Sequence, residues 1–148
     1  QDGPLCGCGQ RGHLESLASG TAIAKWVCDE IHQGVVSSIK PEEKITARLV
    51  SEAAQKGDRL CIAALERSGY FVGQALATFL HIFNPSMIVI GGGVSRSGKF
   101  FLQPIKESLQ EHVMNQSFLQ DLSIETAAFG DEAGLIGAFV LGQTEFPN

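Results

Sequence analysis

The sequence predicts an α/β domain, helix-rich with a short sheet. Apolar residues recur at helical spacing through most of residues 21–83, and a continuous apolar run at Met87-Ile88-Val89-Ile90 then breaks into three glycines. A further strand pattern, Leu122 to Thr126, follows one more helix, so helices and strands alternate as in an α/β domain. At 148 residues with 44% hydrophobic content, the chain can bury a core and reads most simply as one domain.

Taken in order, Gln1 to Gly12 is irregular, because Gly3, Pro4, Gly7, Gly9 and Gly12 forbid regular structure. A short helical turn is expected from Leu14 to Ala18. Ser19-Gly20-Thr21 restarts a helix to about His32 with Ile23, Trp26, Val27 and Ile31 on one face. Gly34 to Ile45 is a polar connector. Thr46 opens a helix to about Gln55 that stops at Lys56-Gly57. Asp58 caps a long apolar helix to Phe83, softly interrupted at Gly69 and stopped by Asn84-Pro85. Cys28 and Cys61 read as core residues on these helices, and His32 and His81 as lone histidines at helix ends. After the strand and glycines comes a helix from Gly98 or Lys99 to about His112. Gly130 to Gly134 opens a last helix, Leu135 to Leu141, small and apolar enough to lie against a sheet.

Composition excludes several classes. A net charge of -5 argues against a nucleic-acid surface, which needs clustered Lys and Arg. Four cysteines, two of them within helical patterns, do not make a disulfide framework and point to a reducing cytoplasm. No apolar run is long enough to span a bilayer and no signal peptide is visible. The chain opens on Gln1, in a loop rich in Gly and Pro, which reads as the start of a fragment.

The densest chemistry lies in Cys6-Gly7-Cys8-Gly9-Gln10-Arg11-Gly12-His13-Leu14-Glu15. Thiols one residue apart are too close for an unstrained disulfide, yet glycine turns let both sulfurs face one ion. Cys6, Cys8 and His13 offer three of the four thiolate and imidazole ligands that structural zinc takes, and no fourth is nearby. Glu15 falls where loop becomes helix. A carboxylate there is favoured by the helix N-terminus and could equally hold a ligand's hydroxyls.

Gly91-Gly92-Gly93 is the second landmark. A buried parallel strand ending in glycines before a helix presents bare backbone N–H groups to an anion, and nucleotide is the usual client. Gly93 to Lys99 also fits the spacing of a phosphate-cradling loop, but Phe100 stands where that loop needs a magnesium-binding hydroxyl. Asp131, at the start of the last helix, reads as a cap with a lesser claim to the nucleotide.

These segments together resemble the ROK family of bacterial sugar kinases and repressors. The resemblance rests on Cys6-Gly-Cys8-Gly-x-x-Gly-His13-x-Glu15 with Ala18-Ser19-Gly20, on Asn84-Pro85 before Ile88 to Ser95, and on Gly134-Leu135-Ile136-Gly137-Ala138. It implies the C-terminal lobe of an actin, Hsp70 and hexokinase-like (ribonuclease H-like) fold. Residues 1–20 would form the zinc and sugar loop, 21–83 a helical part, and 84–148 the nucleotide side. It implies structural zinc on Cys6, Cys8 and His13, with a fourth ligand from an upstream Glu-x-Gly-His segment. It further implies sugar hydroxyls on Glu15, and the adenosine side of ATP at Gly91, Gly92 and Gly93. One departure stands out: the family usually has a third cysteine where this chain has His13, and the longer imidazole arm requires the loop to shift.

The family's Asp-x-Gly-Gly-Thr phosphate loop and its Asn-Asp catalytic pair are absent from these 148 residues. The resemblance therefore implies part of an ATP- and magnesium-dependent hexose kinase of glucokinase type, inactive as this piece alone, with no catalytic residue of its own. The alternatives are the sugar-sensing lobe of a ROK repressor, whose DNA-reading helices lie elsewhere, and a zinc-stabilised binding domain. A homo-oligomer is a family expectation.

Overall fold

Capping side chains place the helix starts. The structure, a computed structural model, describes residues 3–145. Helix α1 spans Glu15–Ala18 and α2 Gly20–His32, whose cap Ser19 accepts the Ala22 N–H at 3.2 Å. Thr46 caps α3, Ala47–Gln55, by accepting from Leu49, and Asp58 caps α4, Arg59–Phe83, by accepting from Cys61 at 3.1 Å. Helix α4 ends where Asn84 turns left-handed at φ 42°, just before Pro85. These boundaries match the sequence pattern within a residue or two.

Strand β1, Met87–Ile90, pairs in parallel with β2, Ser123–Thr126, so that Met87 faces Ser123 and Ile90 faces Thr126. Helix α5, Lys99–His112, connects them, flanked by short 3-10 turns at Gly93–Ser97 and Gln116–Leu119. A third such turn, Gly130–Glu132, leads into α6, Ala133–Glu145. The side chain of Asp131 lies outside the described residues.

Two apolar clusters hold the helices. In one, Ile23 and Val27 of α2, Val50 and Ala54 of α3, and Cys61 and Leu65 of α4 are buried together. In the other, Ala77 and Leu80 of α4 meet Leu109 of α5, with Leu122 and Ile124 packed alongside. Between them α4 and α5 come close. A Cβ built on Gly69 would stand 2.5 Å from the Phe101 carbonyl oxygen, and one on Gly73 would press on the Ile105 carbonyl and stand 2.7 Å from Ser108 Cβ. Gly69 therefore does not interrupt α4, which runs unbroken through it; the glycine serves the approach of a neighbouring backbone.

Three further expectations are corrected. Strand β1 is not buried on both faces: Met87 is 56% and Val89 58% exposed, because its alternate residues face away from the helices. Helix α6 does not lie against the sheet among the described residues; Leu135, Phe139 and Leu141 are exposed. A helix apolar on every side carries no periodic signal for which face is covered. Cys28 is half-buried at the α2 surface, its Sγ 3.5 Å from His32 Nδ1, while His32 Nδ1 donates to the Cys28 carbonyl oxygen at 2.7 Å. Cys61 is core, as expected.

Candidate functional site

The Cys6 to Glu15 loop is closed by its own backbone. Leu5 and Arg11 form an antiparallel bridge, the Cys6 N–H donates to the Gln10 carbonyl at 2.7 Å, and the Gly12 N–H donates to Pro4 at 3.0 Å. The tight return needs glycine where φ is positive, at Gly9 (86°) and Gly12 (76°). Closure brings the Cys6 and Cys8 sulfurs and a ring nitrogen of His13 within 4.8 Å of one another. Cys8 Sγ is 3.2 Å from His13 Nδ1. Among the described residues this is the one cluster of three or more such groups that could hold a metal ion. The donor set fits zinc, so the imidazole replacement leaves the loop able to gather the three expected ligands.

Glu15 is drawn into the same cluster. Cys6 Sγ donates toward Glu15 Oε2 at 3.7 Å, joining the buried thiol to the first residue of α1. The Cys8 backbone N–H pulls the Cys6 thiol down, but burial and the Cys8 and Glu15 charges outweigh it and hold the thiol above its usual range. Ser16 Oγ fastens the turn by donating to the His13 carbonyl at 2.7 Å. Beside Glu15 opens a cleft of about 240 Å³ bordered by Cys6, Ser19, Trp26, Asp29 and Arg67. It combines an aromatic face, a hydroxyl and two carboxylates, chemistry suited to a polyhydroxylated ligand.

Trp26, Asp29 and Arg67 are members that sequence reasoning did not assign. Trp26 reads in the sequence as one apolar position of α2, and Arg67 as one charge on α4. Folding places the Arg67 guanidinium 5.6 Å from the centre of the Trp26 ring and 5.0 Å from that of Phe71. Burial draws the Arg67 pKa down, and the Glu30 charge partly opposes it.

The glycine segment lies elsewhere. Gly91, Gly92 and Gly93 are exposed beyond β1, and Gly92 turns with φ 87° into the Gly93–Ser97 turn. Helix α5 begins at Lys99, after Gly98, where the sequence pattern puts it, and the short Gly93–Ser97 turn separates it from the glycines. Lys99 Nζ stands 5.3 Å over the Phe100 ring. The two landmarks share a support: a Cβ on Gly20, at the start of α2, would lie 3.6 Å from Val94 Cγ2, one residue past the glycines.

His81 is structural in its contacts. His81 Nε2 accepts the Met114 N–H at 3.0 Å and its ring meets Phe118 edge-on at 5.2 Å. The cysteines differ sharply in accessibility, and burial, with the Asp58 charge, pushes the Cys61 thiol up to about 12. Brief iodoacetamide treatment of the native protein at pH 8, read by peptide mass spectrometry, should label exposed Cys8 first and Cys61 last. Equal labelling of the two would contradict the packing of α4.

The chain is 34% identical over 141 residues to the glucokinase of Thermotoga maritima, covering 93% of this chain and 44% of that protein. A solved ROK family transcriptional regulator, a homologue of the E. coli Mlc protein, superposes with a TM-score of 0.84 at 31% identity, over 96% of this chain and 36% of that one. A ROK family glucokinase from Streptomyces griseus, solved with glucose and AMPPNP, superposes with a TM-score of 0.82 at 30% identity, over 97% of this chain and 48% of that one. The chain thus spans less than half the length of these relatives. Its helix-rich fold with a short parallel sheet is that of ROK sugar kinases, in the actin and hexokinase-like class that the sequence motifs imply. The ROK family model matches residues 1–145, and the chain accordingly belongs to the ROK family.

Proposed function

We propose that this chain is the sugar-side and nucleotide-side lobe of an ATP-dependent hexose kinase of glucokinase type. The observation that carries the reading is the junction of the Cys6, Cys8 and His13 donor group with Glu15 at the mouth of a polar, aromatic-walled cleft. Glu15 would accept hydrogen bonds from sugar hydroxyls, and charge-assisted bonds of this kind are strong and directional. Zinc held by Cys6, Cys8 and His13, completed by a ligand from outside this chain, would brace the loop; its chemistry is structural. Gly91, Gly92 and Gly93 would admit the adenosine side of ATP close to bare backbone. The 30% identical Streptomyces griseus glucokinase, solved with glucose and AMPPNP, supports both ligands.

Phosphoryl transfer needs an acceptor-activating carboxylate and a magnesium-bound triphosphate aligned with the sugar, and in this reading those groups come from polypeptide beyond these 148 residues. Closure of the two parts would exclude water from the sugar and the γ-phosphate. Among the described residues no helix is long and apolar enough to cross a membrane. Exposed Phe79, Ile82 and Phe83 on α4 offer apolar surface for the homo-oligomer that the family resemblance implies.

A second reading is favoured by one observation: the ROK transcriptional regulator superposes as well as the glucokinase does. There, sugar bound at Glu15 would alter DNA affinity through helices outside this chain. A coupled assay for ATP-dependent phosphorylation over a hexose panel, on the natural polypeptide that contains these residues, separates the two. Phosphorylation lost on Glu15→Gln supports the kinase. Hexose-dependent DNA binding without turnover supports the regulator, and neither activity nor hexose binding would sink both.

A further inference from the structure

Glu15 begins a helix of four residues, Glu15–Ala18, too short to hold its own shape. Its cap, Leu14, contributes no side-chain hydrogen bond. Whatever orients Glu15 must therefore come from outside the turn. Part comes from the loop, through Ser16. The rest comes from the middle of α4, fifty residues away. Ser68 Oγ donates to the Leu17 carbonyl oxygen at 3.3 Å, and Arg67 Nη1 donates to the same oxygen at 3.5 Å. That carbonyl sits in the last turn of α1, where the helix supplies no N–H to meet it.

The two donors are themselves held. Ser68 is 1% exposed, and its neighbour Gly69 is pinned by the close approach of α5. The Arg67 guanidinium lies over both the Trp26 and the Phe71 ring, which limits the freedom of its long side chain before any ligand arrives. Arg67 also borders the cleft that Glu15 borders, so α1, α2 and α4 converge on one guanidinium.

We propose that Arg67 and Ser68 are positioning residues for Glu15, fixing the one-turn helix that aims its carboxylate at a sugar hydroxyl. The inference rests on the sugar-binding reading of Glu15 given above and adds the device that orients it. Pre-organisation of this kind is read in ligand affinity, because an untethered Glu15 must be ordered at the cost of binding. The planar fork and ring stacking make arginine specific here, so lysine is not an equivalent replacement.

The test is a double-mutant cycle on glucose affinity, by calorimetry on the natural polypeptide, with thermal midpoints of every variant measured in parallel. Ser68→Ala should weaken glucose binding about 3-fold and Arg67→Met about 10-fold, magnitudes typical of losing one neutral and one charge-assisted hydrogen bond. Arg67→Lys should recover little of the loss. In a Glu15→Gln background, itself weaker for glucose, both further changes should alter affinity by less than about 2-fold, since an orienting group has nothing left to orient. A purely structural role predicts otherwise: a lowered thermal midpoint and the same fold-loss with or without Glu15. Loss factors that multiply in the Glu15→Gln background, or unchanged affinity in Arg67→Met and Ser68→Ala, would overturn the positioning role while leaving the sugar site standing. Wild-type protein that binds no glucose or other hexose would instead overturn the sugar-binding reading, and this inference with it.

Discussion

Gly73→Ala should destabilise the protein by about 3 kcal/mol, against the general tendency of Gly→Ala in helices to stabilise by up to about 1 kcal/mol. The added Cβ has nowhere to go. It would press on the Ile105 carbonyl oxygen, 2.7 Å from Ser108 Cβ and 2.9 Å from Leu109 N. These are mostly backbone atoms of α5, which cannot swing aside as the end of a flexible side chain can. The helices must part, and the cluster of Ala77, Leu80 and Leu109 next to the contact loosens with them. Gly137→Ala in α6 is the matched control, because nothing lies within 4 Å of its Cβ position; there the helix preference acts alone and a small gain is expected. Urea unfolding midpoints measure both. A Gly73→Ala protein as stable as wild type would mean that α4 and α5 do not approach as described.

Asp58→Ala should cost about 2 kcal/mol at neutral pH, at the upper end for a helix cap. The carboxylate does more than cap α4. Oδ1 accepts the Cys61 N–H at 3.1 Å, while Oδ2 accepts Ser37 Oγ at 2.8 Å and Ser38 Oγ at 2.7 Å, together with the Ser38 backbone N–H. One side chain thus ties the connector after α2 to the start of the longest helix. Partial burial opposes the charge, but the donors from Ser38, Cys61 and Ser37 outweigh it and hold the carboxyl well below the usual carboxylate range.

The pH dependence follows from that direction. A carboxyl with a depressed folded pKa contributes its full stability above its unfolded value of about 3.9 and loses it as pH falls toward the folded value. The stability difference between wild type and Asp58→Ala should therefore stay constant above about pH 5 and shrink as the solution is acidified below about pH 4. Thermal or urea midpoints across that range decide the matter. A difference that stayed flat to the acid limit would show that the charge is not what these donors recognise.

Much of the site was legible because its chemistry is local. Cys6, Cys8, His13 and Glu15 lie within ten residues, and glycines at positions 9 and 12 are what a loop needs to turn its donors to one point. The helix starts were legible for a similar reason: Ser19, Thr46 and Asp58 each cap by bonding an N–H three residues on. Local hydrogen bonding and side-chain period are short-range, so a linear sequence records them.

What only the tertiary structure decided are the contacts made across long separations. Trp26 and Arg67 are 41 positions apart and meet as a stacked pair. Ser68 reaches Leu17 across 51, and Gly69 and Gly73 face backbone on another helix. No periodic signal marks such residues, because an arginine or a serine on a helix reads the same whether it meets solvent or a carbonyl from a distant turn. The sequence by itself determined the helix starts, the two strand segments, the thiol and imidazole groups of the loop and the carboxylate at the head of α1. Packing decided how closely α4 and α5 approach, which face of β1 stays open, and which side chains hold that carboxylate in place, because those depend on the meeting of surfaces distant in the chain.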